Sequence, residues 1–329
     1  MSFIHPITQK NIPDSLVGII APMFTPVDSE KRIDHQKLSE YAKWLANDPN
    51  ITALFWRSGV GRMFTFSTQE VKDGLDVILE AADGKKPVFC GTAGEYNGDF
   101  STKADPQCYL DQSIELSLYA QKSGAKGVVL VMPAALPVGA DSTPDETSFE
   151  YFKSVHDQTN GPILVYNPQN MADGFHATPS LISKVATLPR IIGIKLSTTD
   201  MYLMSNLIVA AGQNDFAMIA GSECTYYQAL ATGAAGIVGQ GCSIYANILR
   251  QILDSFVAGD WASALQAQVD VNRALDGFQD IAADMSGFAY LKKAGMDASP
   301  YCRDGSEPLS QDTMDQIYNA IKPYCDKYK

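Results

Sequence analysis

The chain has 329 residues, of which 46% are hydrophobic, and its 37 acidic residues exceed its 25 basic ones, for a formal net charge of −12. This acidity, without any cluster of Lys or Arg, argues against nucleic acid or anionic membranes as partners. The sequence shows no apolar run of membrane-spanning length and no signal-peptide pattern. We therefore expect a soluble, cytoplasmic protein whose partner is a small molecule.

Cysteine and histidine are too scattered to indicate a disulfide framework or a metal site. No Cys-x-x-Cys pair and no pair of histidines at metal-ligand spacing occurs. A P-loop and a Gly-x-Ser-x-Gly elbow are also missing. The sequence therefore predicts reduced thiols, no metal and no cofactor. The residues concerned are Cys90, Cys108, Cys224, Cys242, Cys302, Cys325, His5, His35, His156 and His176.

Residues 1–15 have no clear pattern and are expected to form an arm. After them, eight short apolar runs alternate with helical patterns, such as the one that Ser67 and Glu70 open as a capping box. Eight such units predict a (β/α)8 barrel over residues 16–250, with its chemistry at the carboxyl ends of the strands. The predicted strands are Val17–Met23, Ile51–Phe55, Pro87–Cys90, Gly127–Met132, Pro162–Tyr166, Ile191–Lys195, Phe216–Ala220 and Ala235–Gly239.

An open, doubly wound sheet is the alternative fold. It is disfavoured because no Gly-x-Gly-x-x-Gly turn follows the first strand. Beyond the eighth strand, further helical patterns predict a helical extension over residues 251–329. These patterns cover Ile248–Val257, Trp261–Phe278, Gly287–Ala294 and Gln311–Ile321.

Two neighbouring strands end in reactive side chains, Tyr166 and Lys195. Burial of a lysine disfavours its ammonium form, and a neutral amine attacks carbonyl groups. Parallel neighbours place both residues on one rim, where a phenol can pass protons for an amine. Two simpler interpretations stay open: Lys195 reaches solvent at its strand end, and Tyr166 is a core residue with a satisfied hydroxyl.

At these residues the chain resembles the dihydrodipicolinate synthase and N-acetylneuraminate lyase family of class I aldolases. The resemblance runs from about Leu16 to the C-terminus. It is carried by Gly18–Pro26 on the first strand, by Val165-Tyr166-Asn167-Pro168 and by Gly193-Ile194-Lys195. It implies that Lys195 forms a Schiff base with a 2-oxo acid, usually pyruvate, that Tyr166 relays protons, and that the protein is a homo-oligomer, a dimer or tetramer.

The chain departs from the family pattern after the second strand. Where relatives usually carry Gly-Thr-Thr-Gly-Glu, it has Ser58-Gly59-Val60-Gly61-Arg62. The N–H groups of Gly59 and Val60 can still hold a carboxylate, and Ser58 lies close to where a hydroxyl is expected. Arg62 either forms an ion pair inside the fold, which we favour, or binds an anionic substrate.

The segment Gly91-Thr92-Ala93-Gly94-Glu95 nearly spells the family motif, but it follows the third strand. We interpret it as a coincidental glycine-rich loop that leads into an insertion at residues 96–105. The fourth strand ends in Ala134 and Ala135, where synthases of the family carry tyrosines, one of which reaches a neighbouring subunit. Residues 169–174 lack the arginine that binds the second substrate's carboxylate in true dihydrodipicolinate synthases.

Later loops supply further candidates. Glu223 follows the seventh strand, at positions where sugar-acid lyases of the family bind substrate hydroxyls, although it is also typical of a carboxylate at a helix N-terminus. Gln240 and Ser243, after the eighth strand, are predicted to contact substrate. The loops after strands seven and eight form phosphate sites in many barrels, so a phosphorylated substrate stays open.

The leading interpretation is a Schiff-base lyase, an aldolase that acts through Lys195 on a 2-oxo acid such as pyruvate or a deoxy sugar acid. A dehydratase of a 2-keto-3-deoxy sugar acid would use the same iminium. A 4-hydroxy-tetrahydrodipicolinate synthase is disfavoured by Ala134, Ala135 and the missing arginine. A non-catalytic member that binds a metabolite is the remaining alternative, because fold does not guarantee activity.

Overall fold

The computed structural model of the chain describes residues 2–169, 171–172, 174–278 and 280–329. Within them, eight parallel strands close into a barrel in the order β10-β3-β4-β5-β6-β7-β8-β9. The fold is therefore the predicted (β/α)8 barrel, and each predicted strand is confirmed. The barrel strands are β3 (Gly18–Pro22), β4 (Ile51–Trp56), β5 (Val88–Gly91), β6 (Gly127–Val131), β7 (Ile163–Asn167), β8 (Ile191–Leu196), β9 (Ala217–Ala220) and β10 (Gly236–Ile237).

The barrel strands form because their apolar runs are covered on both sides. Every residue of β3, β5, β6, β7 and β9 is buried. A parallel sheet with helices outside and side chains inside demands such continuous hydrophobicity. The register places Tyr166 opposite Lys195, and Lys195 opposite Ile219 on β9. The reactive side chains therefore stand at the same level of the barrel.

Helices surround the barrel and continue beyond it. The Ser67–Glu70 capping box is confirmed, since the serine hydroxyl accepts from the Glu70 N–H and the glutamate accepts from the Ser67 N–H. The helices are α1 (His35–Asn47), α2 (Thr68–Ala82), α3 (Pro106–Ser123), α4 (Pro144–Gln158), α5 (Pro179–Val185), α6 (Met201–Ala210), α7 (Tyr226–Thr232), α8 (Ala246–Val257), α9 (Trp261–Asp276), α10 (Ala283–Lys293) and α11 (Gln311–Asp326). None of the helices described is long and apolar enough to cross a membrane.

The N-terminal segment is more ordered than its sequence indicates. Two short strands, β1 (Ser2–Ile4) and β2 (Asn11–Pro13), pair antiparallel. The hairpin is fixed to the barrel by the His5 ring, which bonds to the Ala234 carbonyl at 3.0 Å. The Asn11 N–H adds a bond to the Asp215 carboxylate at 2.9 Å. Met1 lies outside the described residues.

The C-terminal helices pack against the barrel rather than apart from it. The boundary expected at residue 250 falls inside α8, which is the eighth helix of the barrel. Helix α10 approaches the end of β3 closely, because an added Cβ at Gly287 would lie 2.2 Å from the Phe24 ring. The extension therefore contacts the rim that carries Tyr166 and Lys195.

Candidate active site

Lys195 is enclosed by aromatic side chains. Lys195 is 5% exposed, and its Nζ lies 4.0 Å from the centroid of the Tyr166 ring and 6.0 Å from that of the Phe55 ring. No carboxylate of the described residues forms a salt bridge with this amine. The amine therefore lacks the ion pair that commonly stabilises a buried ammonium group.

A cavity of about 310 Å³ opens at this end of the barrel. It is lined by five of the predicted site residues: Lys195, Tyr166, Val60, Glu223 and Gln240. Four residues that the sequence analysis missed bring hydroxyls to its wall: Ser197, Thr198, Thr199 and Ser222. The Ser-Thr-Thr run follows Lys195 directly, so the rule that strand ends carry function would have found it. Leu275 of α9 completes the wall.

The loop after β4 borders this cavity through Val60, with Gly59 next to it in the chain. Within the described residues, the N–H groups of Gly59 and Val60 have no acceptor. Gly59 can carry no side chain without displacing Tyr166, because an added Cβ would lie 2.8 Å from the phenol oxygen. Free, adjacent N–H groups beside a phenol and an amine form a suitable cradle for a carboxylate.

The two predicted serines have structural partners. The Ser58 hydroxyl donates to the Met23 carbonyl at 3.1 Å and accepts from the Gly61 N–H at 3.2 Å. Ser243 donates to the Pro22 carbonyl at 2.9 Å. Neither serine lines the cavity. Both hydroxyls tie their loops to the end of β3, a role that their sequence positions do not reveal.

Glu223 is a buried carboxyl group on the side of Lys195 opposite to Tyr166. Its Oε1 accepts from the Gly241 N–H at 2.6 Å and from the Tyr245 hydroxyl at 3.2 Å. Burial raises the pKa of Glu223, while these two hydrogen bonds and the nearby Lys195 charge act in the lowering direction. Glu223 is 4% exposed and begins a short 3-10 helix that leads into α7, so it is both a helix-terminal carboxyl group and a buried one.

No group of three or more His, Cys, Asp or Glu side chains among the described residues is arranged to hold a metal ion. The chemistry that the site offers is that of an amine, a phenol, a carboxyl group and main-chain amides.

Comparison with known proteins identifies the family. Residues 15–324 match the family described as Dihydrodipicolinate synthetase family. The chain belongs to the dihydrodipicolinate synthetase family. Members of this family are lyases of the class I aldolase type, and this chain is therefore an enzyme of that type.

Individual relatives carry different names. The chain is 27% identical over 301 residues to a 4-hydroxy-tetrahydrodipicolinate synthase of Oceanobacillus iheyensis, covering 92% of this chain and 94% of that one. It superposes on an N-acetylneuraminate lyase from Mycoplasma synoviae with a TM-score of 0.78 at 16% identity, covering 96% and 99% of the two chains. It also superposes on a prophage protein of the dihydrodipicolinic acid synthase family from E. coli K12, in complex with pyruvate. The TM-score is 0.79 at 21% identity, and the superposition covers 95% of this chain and 99% of that one.

Arg62, which stands in place of the family's acidic residue, is engaged in ion pairs. Its Nε and Nη2 bond to the two oxygens of Asp284 at 2.7 and 2.9 Å, and Nη2 also lies 2.8 Å from Asp304. Asp284 belongs to α10. Arg62 therefore forms an ion pair inside the fold, as we favoured, and its partners Asp284 and Asp304 belong to the C-terminal extension.

A second arginine, which sequence reasoning missed, supports the same loop. Arg57 is 4% exposed and donates to three main-chain carbonyls, those of Met63, Ala93 and Gly94. It ties the loop after β4 to the glycine-rich segment after β5. A buried arginine with only carbonyl partners has no clear sequence signal, because two of the three partners of Arg57 lie 36 and 37 residues away.

The loop after β6 is covered within the chain itself. Ala134 and Ala135 are buried, and the end of the insertion bonds to them, with Lys103 Nζ on the Ala134 carbonyl at 3.0 Å and the Ala104 N–H on the Ala135 carbonyl at 2.8 Å. The insertion therefore occupies space beside the loop where family synthases place tyrosines. In the stretch 169–174, Asn170 and Asp173 lie outside the described residues.

Proposed function

We propose that the protein is a Schiff-base lyase that acts through Lys195 on a 2-oxo acid, such as pyruvate or a deoxy sugar acid. The observation that carries this proposal is the Lys195 amine, buried without a carboxylate partner 4.0 Å from the Tyr166 ring centroid and open to the cavity. The amine attacks C2 of the 2-oxo acid, water leaves, and the resulting iminium accepts the electron pair of the bond that breaks.

The neighbouring groups fit the other demands of this reaction. The free N–H groups of Gly59 and Val60 are suited to the substrate carboxylate. The Tyr166 hydroxyl, which lies against Gly59, is in position to give a proton to the C2 hydroxyl of the amine adduct, which then leaves as water. We therefore assign the cradle to Gly59 and Val60 and the proton shuttle to Tyr166.

The rest of the substrate is inferred from the cavity wall. Thr198, Thr199, Ser222 and Gln240 offer hydroxyl and amide groups, whereas Lys195 is the sole cationic side chain among the described residues that line the cavity. A tail with neutral hydroxyls finds partners there, and a second carboxylate or a phosphate finds no charged donor. This supports a deoxy sugar acid over a phosphorylated substrate or aspartate semialdehyde.

A dehydratase of a 2-keto-3-deoxy sugar acid is the second candidate. The observation that favours it is Glu223, a carboxyl group on the cavity wall whose pKa is raised by burial and which, when protonated, can donate to a departing hydroxyl. Both reactions begin with the same iminium at Lys195, so one experiment tests their common step.

That experiment is borohydride trapping. Purified protein treated with pyruvate and borohydride is expected to gain a stable adduct that maps to Lys195. Lys195→Ala should abolish labelling, whereas Lys43→Ala, which removes an exposed lysine of α1, should label as wild type does. Equal labelling of the Lys195 variant, or an adduct on another lysine, would refute the mechanism and favour a non-catalytic, metabolite-binding role.

A panel of 2-oxo acids and aldehydes then identifies the reaction. Cleavage to pyruvate and an aldehyde indicates an aldolase, and loss of water without cleavage indicates a dehydratase. Robust condensation of pyruvate with aspartate semialdehyde would overturn the exclusion of 4-hydroxy-tetrahydrodipicolinate synthesis. The proposal includes a cytoplasmic homo-oligomer, a dimer or tetramer, which light scattering tests. A monomer at working concentration would contradict the assembly.

A further inference from the structure

Lys195 lies between two very different proton-transfer groups. On the β7 side stands Tyr166, and on the β9 side stands Glu223. No described residue forms a hydrogen bond with the Tyr166 hydroxyl, and the position nearest to it, Gly59, has no side chain. A proton that reaches this phenol therefore has no protein group to receive it next.

Among the described residues, the Glu223 carboxyl group, unlike the Tyr166 hydroxyl, is hydrogen-bonded to other groups of the protein. One carboxyl oxygen is fixed by the Gly241 N–H and the Tyr245 hydroxyl. The other, Oε2, occupies the space where a side chain at Gly239 would stand, 2.2 Å from an ideal Cβ. The carboxyl group is thus held in one orientation while Glu223 lines the same cavity as Lys195.

We propose that Glu223 is a second catalytic acid–base group, which transfers the proton at C3 of the bound substrate while Tyr166 serves formation of the iminium at C2. This inference rests on the Schiff-base function proposed above. It divides the proton transfers between the two sides of Lys195, and it gives the buried glutamate a role in bond breaking rather than in binding hydroxyls.

The proposed step is a balanced proton transfer. Starting from the iminium, the C3–H bond breaks and its electron pair becomes the C2–C3 double bond of an enamine. The former C–N π pair moves to nitrogen, and the proton goes to the Glu223 carboxylate. In reverse, the protonated carboxyl group returns a proton to C3. No oxidant, reductant or other co-reactant is needed.

The charges around Glu223 are consistent with this exchange. The titratable groups that face it are Lys195 from β8 and Tyr245 and Cys242 from the turn after β10. Burial raises the pKa of the Tyr245 phenol and of the Cys242 thiol, so both stay neutral and Tyr245 acts as a donor. Burial also raises the pKa of Glu223 from that of an exposed glutamate, toward the pH at which general acid–base groups work.

The test uses pyruvate, so the natural substrate need not be known. The full-length enzyme is placed with pyruvate in D2O, and NMR follows deuterium uptake by the methyl group, which requires the enamine. Borohydride trapping on the same samples gives the fraction of enzyme present as iminium. The decisive quantity is the exchange rate divided by this fraction, because the division removes effects on iminium formation and on the amount of folded enzyme.

For Glu223→Gln, which keeps the shape of the side chain and an oxygen for the Gly241 N–H, this ratio is expected to fall by roughly 10²–10⁴-fold. A ratio within about threefold of wild type would overturn the assignment of Glu223. Wild-type enzyme that shows no trapping would instead refute the Schiff-base function itself, so the two failures are distinguishable.

The wild-type pH profile tests the assignment even if the Gln variant fails to fold. The base is the carboxylate, so the ratio should rise as pH increases through the pKa of Glu223, and this rise should lie above the range of an exposed glutamate. The rise should disappear in a folded Glu223→Gln enzyme. A wild-type ratio that is flat across acidic and neutral pH would contradict the proposal.

Discussion

The loop after β4 and the loops after β9 and β10 flank the same lysine but are built from different chemistry. Beside Tyr166, the loop after β4 offers the main-chain N–H groups of Gly59 and Val60, which have no acceptor in the described part of the chain, whereas the Ser58 hydroxyl is bonded to the fold. Beside Glu223, side-chain carboxyl, hydroxyl and amide groups line the cavity. Main-chain N–H groups can bind a carboxylate whatever the side chains are. Proton transfer and recognition of the rest of a substrate, in contrast, require particular side chains.

The two regions are also stabilised differently. Buried Arg57 and the ion-paired Arg62 hold the loop after β4 from outside the cavity. The Glu223 region is held from within, by its own carboxyl group. Arginine substitutions should therefore alter stability and geometry on the Tyr166 side, while substitutions near Glu223 should alter the chemistry directly.

The largest expected effect is that of Tyr166→Phe on iminium formation. Removal of the hydroxyl should slow the appearance of the borohydride-trapped adduct by roughly 10²–10⁴-fold, with ligand affinity much closer to wild type. A rapid-quench time course of trapping measures it. The exchange rate per iminium should stay near wild type. A near-normal trapping rate would remove Tyr166 from the mechanism.

Two glycine substitutions compare the sides directly. Gly239→Ala places a methyl group 2.2 Å from Glu223 Oε2 and should lower exchange per iminium by roughly 10²-fold, because the carboxyl group must move. Gly59→Ala places one 2.8 Å from the Tyr166 hydroxyl and should slow trapping by roughly tenfold, since the end of the phenol can shift slightly. If both variants lose the same step, the division of roles between the two sides is wrong.

Arg57→Met should reveal how the loop after β4 is held. The change leaves three carbonyls without their donor and should lower the free energy of unfolding by about 2–4 kcal/mol. Urea denaturation measures the change. Arg32→Met, at an exposed arginine, is the control and should leave the free energy of unfolding close to that of wild type. Equal stability of the two variants would show that Arg57 does not fasten the loop.

The smallest expected effect is that of Asp284→Asn, which weakens the bond of Arg62 to α10. Because Arg62 is partly exposed, the loss should be about 1–2 kcal/mol, with weaker pyruvate binding as the cradle loosens. Asp28→Asn weakens a more exposed pair with Arg32 and should lower the free energy of unfolding by less. An Asp284 variant no less stable than this control would argue against the role of the extension.

The sequence predicted the barrel well because its strands are short apolar runs between clear helix signals. The hairpin of β1 and β2 escaped notice because each strand has three residues and the connection lacks a typical turn dipeptide. Its stability comes from contacts with Ala234 and Asp215, more than two hundred residues away, which no local pattern records.

The candidate site was predictable where strand ends carry reactive groups, as at Tyr166, Lys195 and Glu223. The hydrogen-bond partners of those groups could not be predicted from the sequence. Tyr245 reaches Glu223 only because a short turn after β10 folds back over the barrel, and Arg57 finds its carbonyls across two loops. Ser58 and Ser243 show the converse, since a hydroxyl at a suitable position can be satisfied by the fold.

The bond between Arg62 and Asp284 joins positions 222 residues apart. During synthesis, the chain leaves the ribosome from its N-terminus, and the eight barrel strands are made before α10 emerges. The loop that presents Gly59 and Val60 therefore receives its ion-pair partner only after the barrel sequence is complete. The pair couples the geometry of the proposed carboxylate cradle to the synthesis of the last segments of the polypeptide.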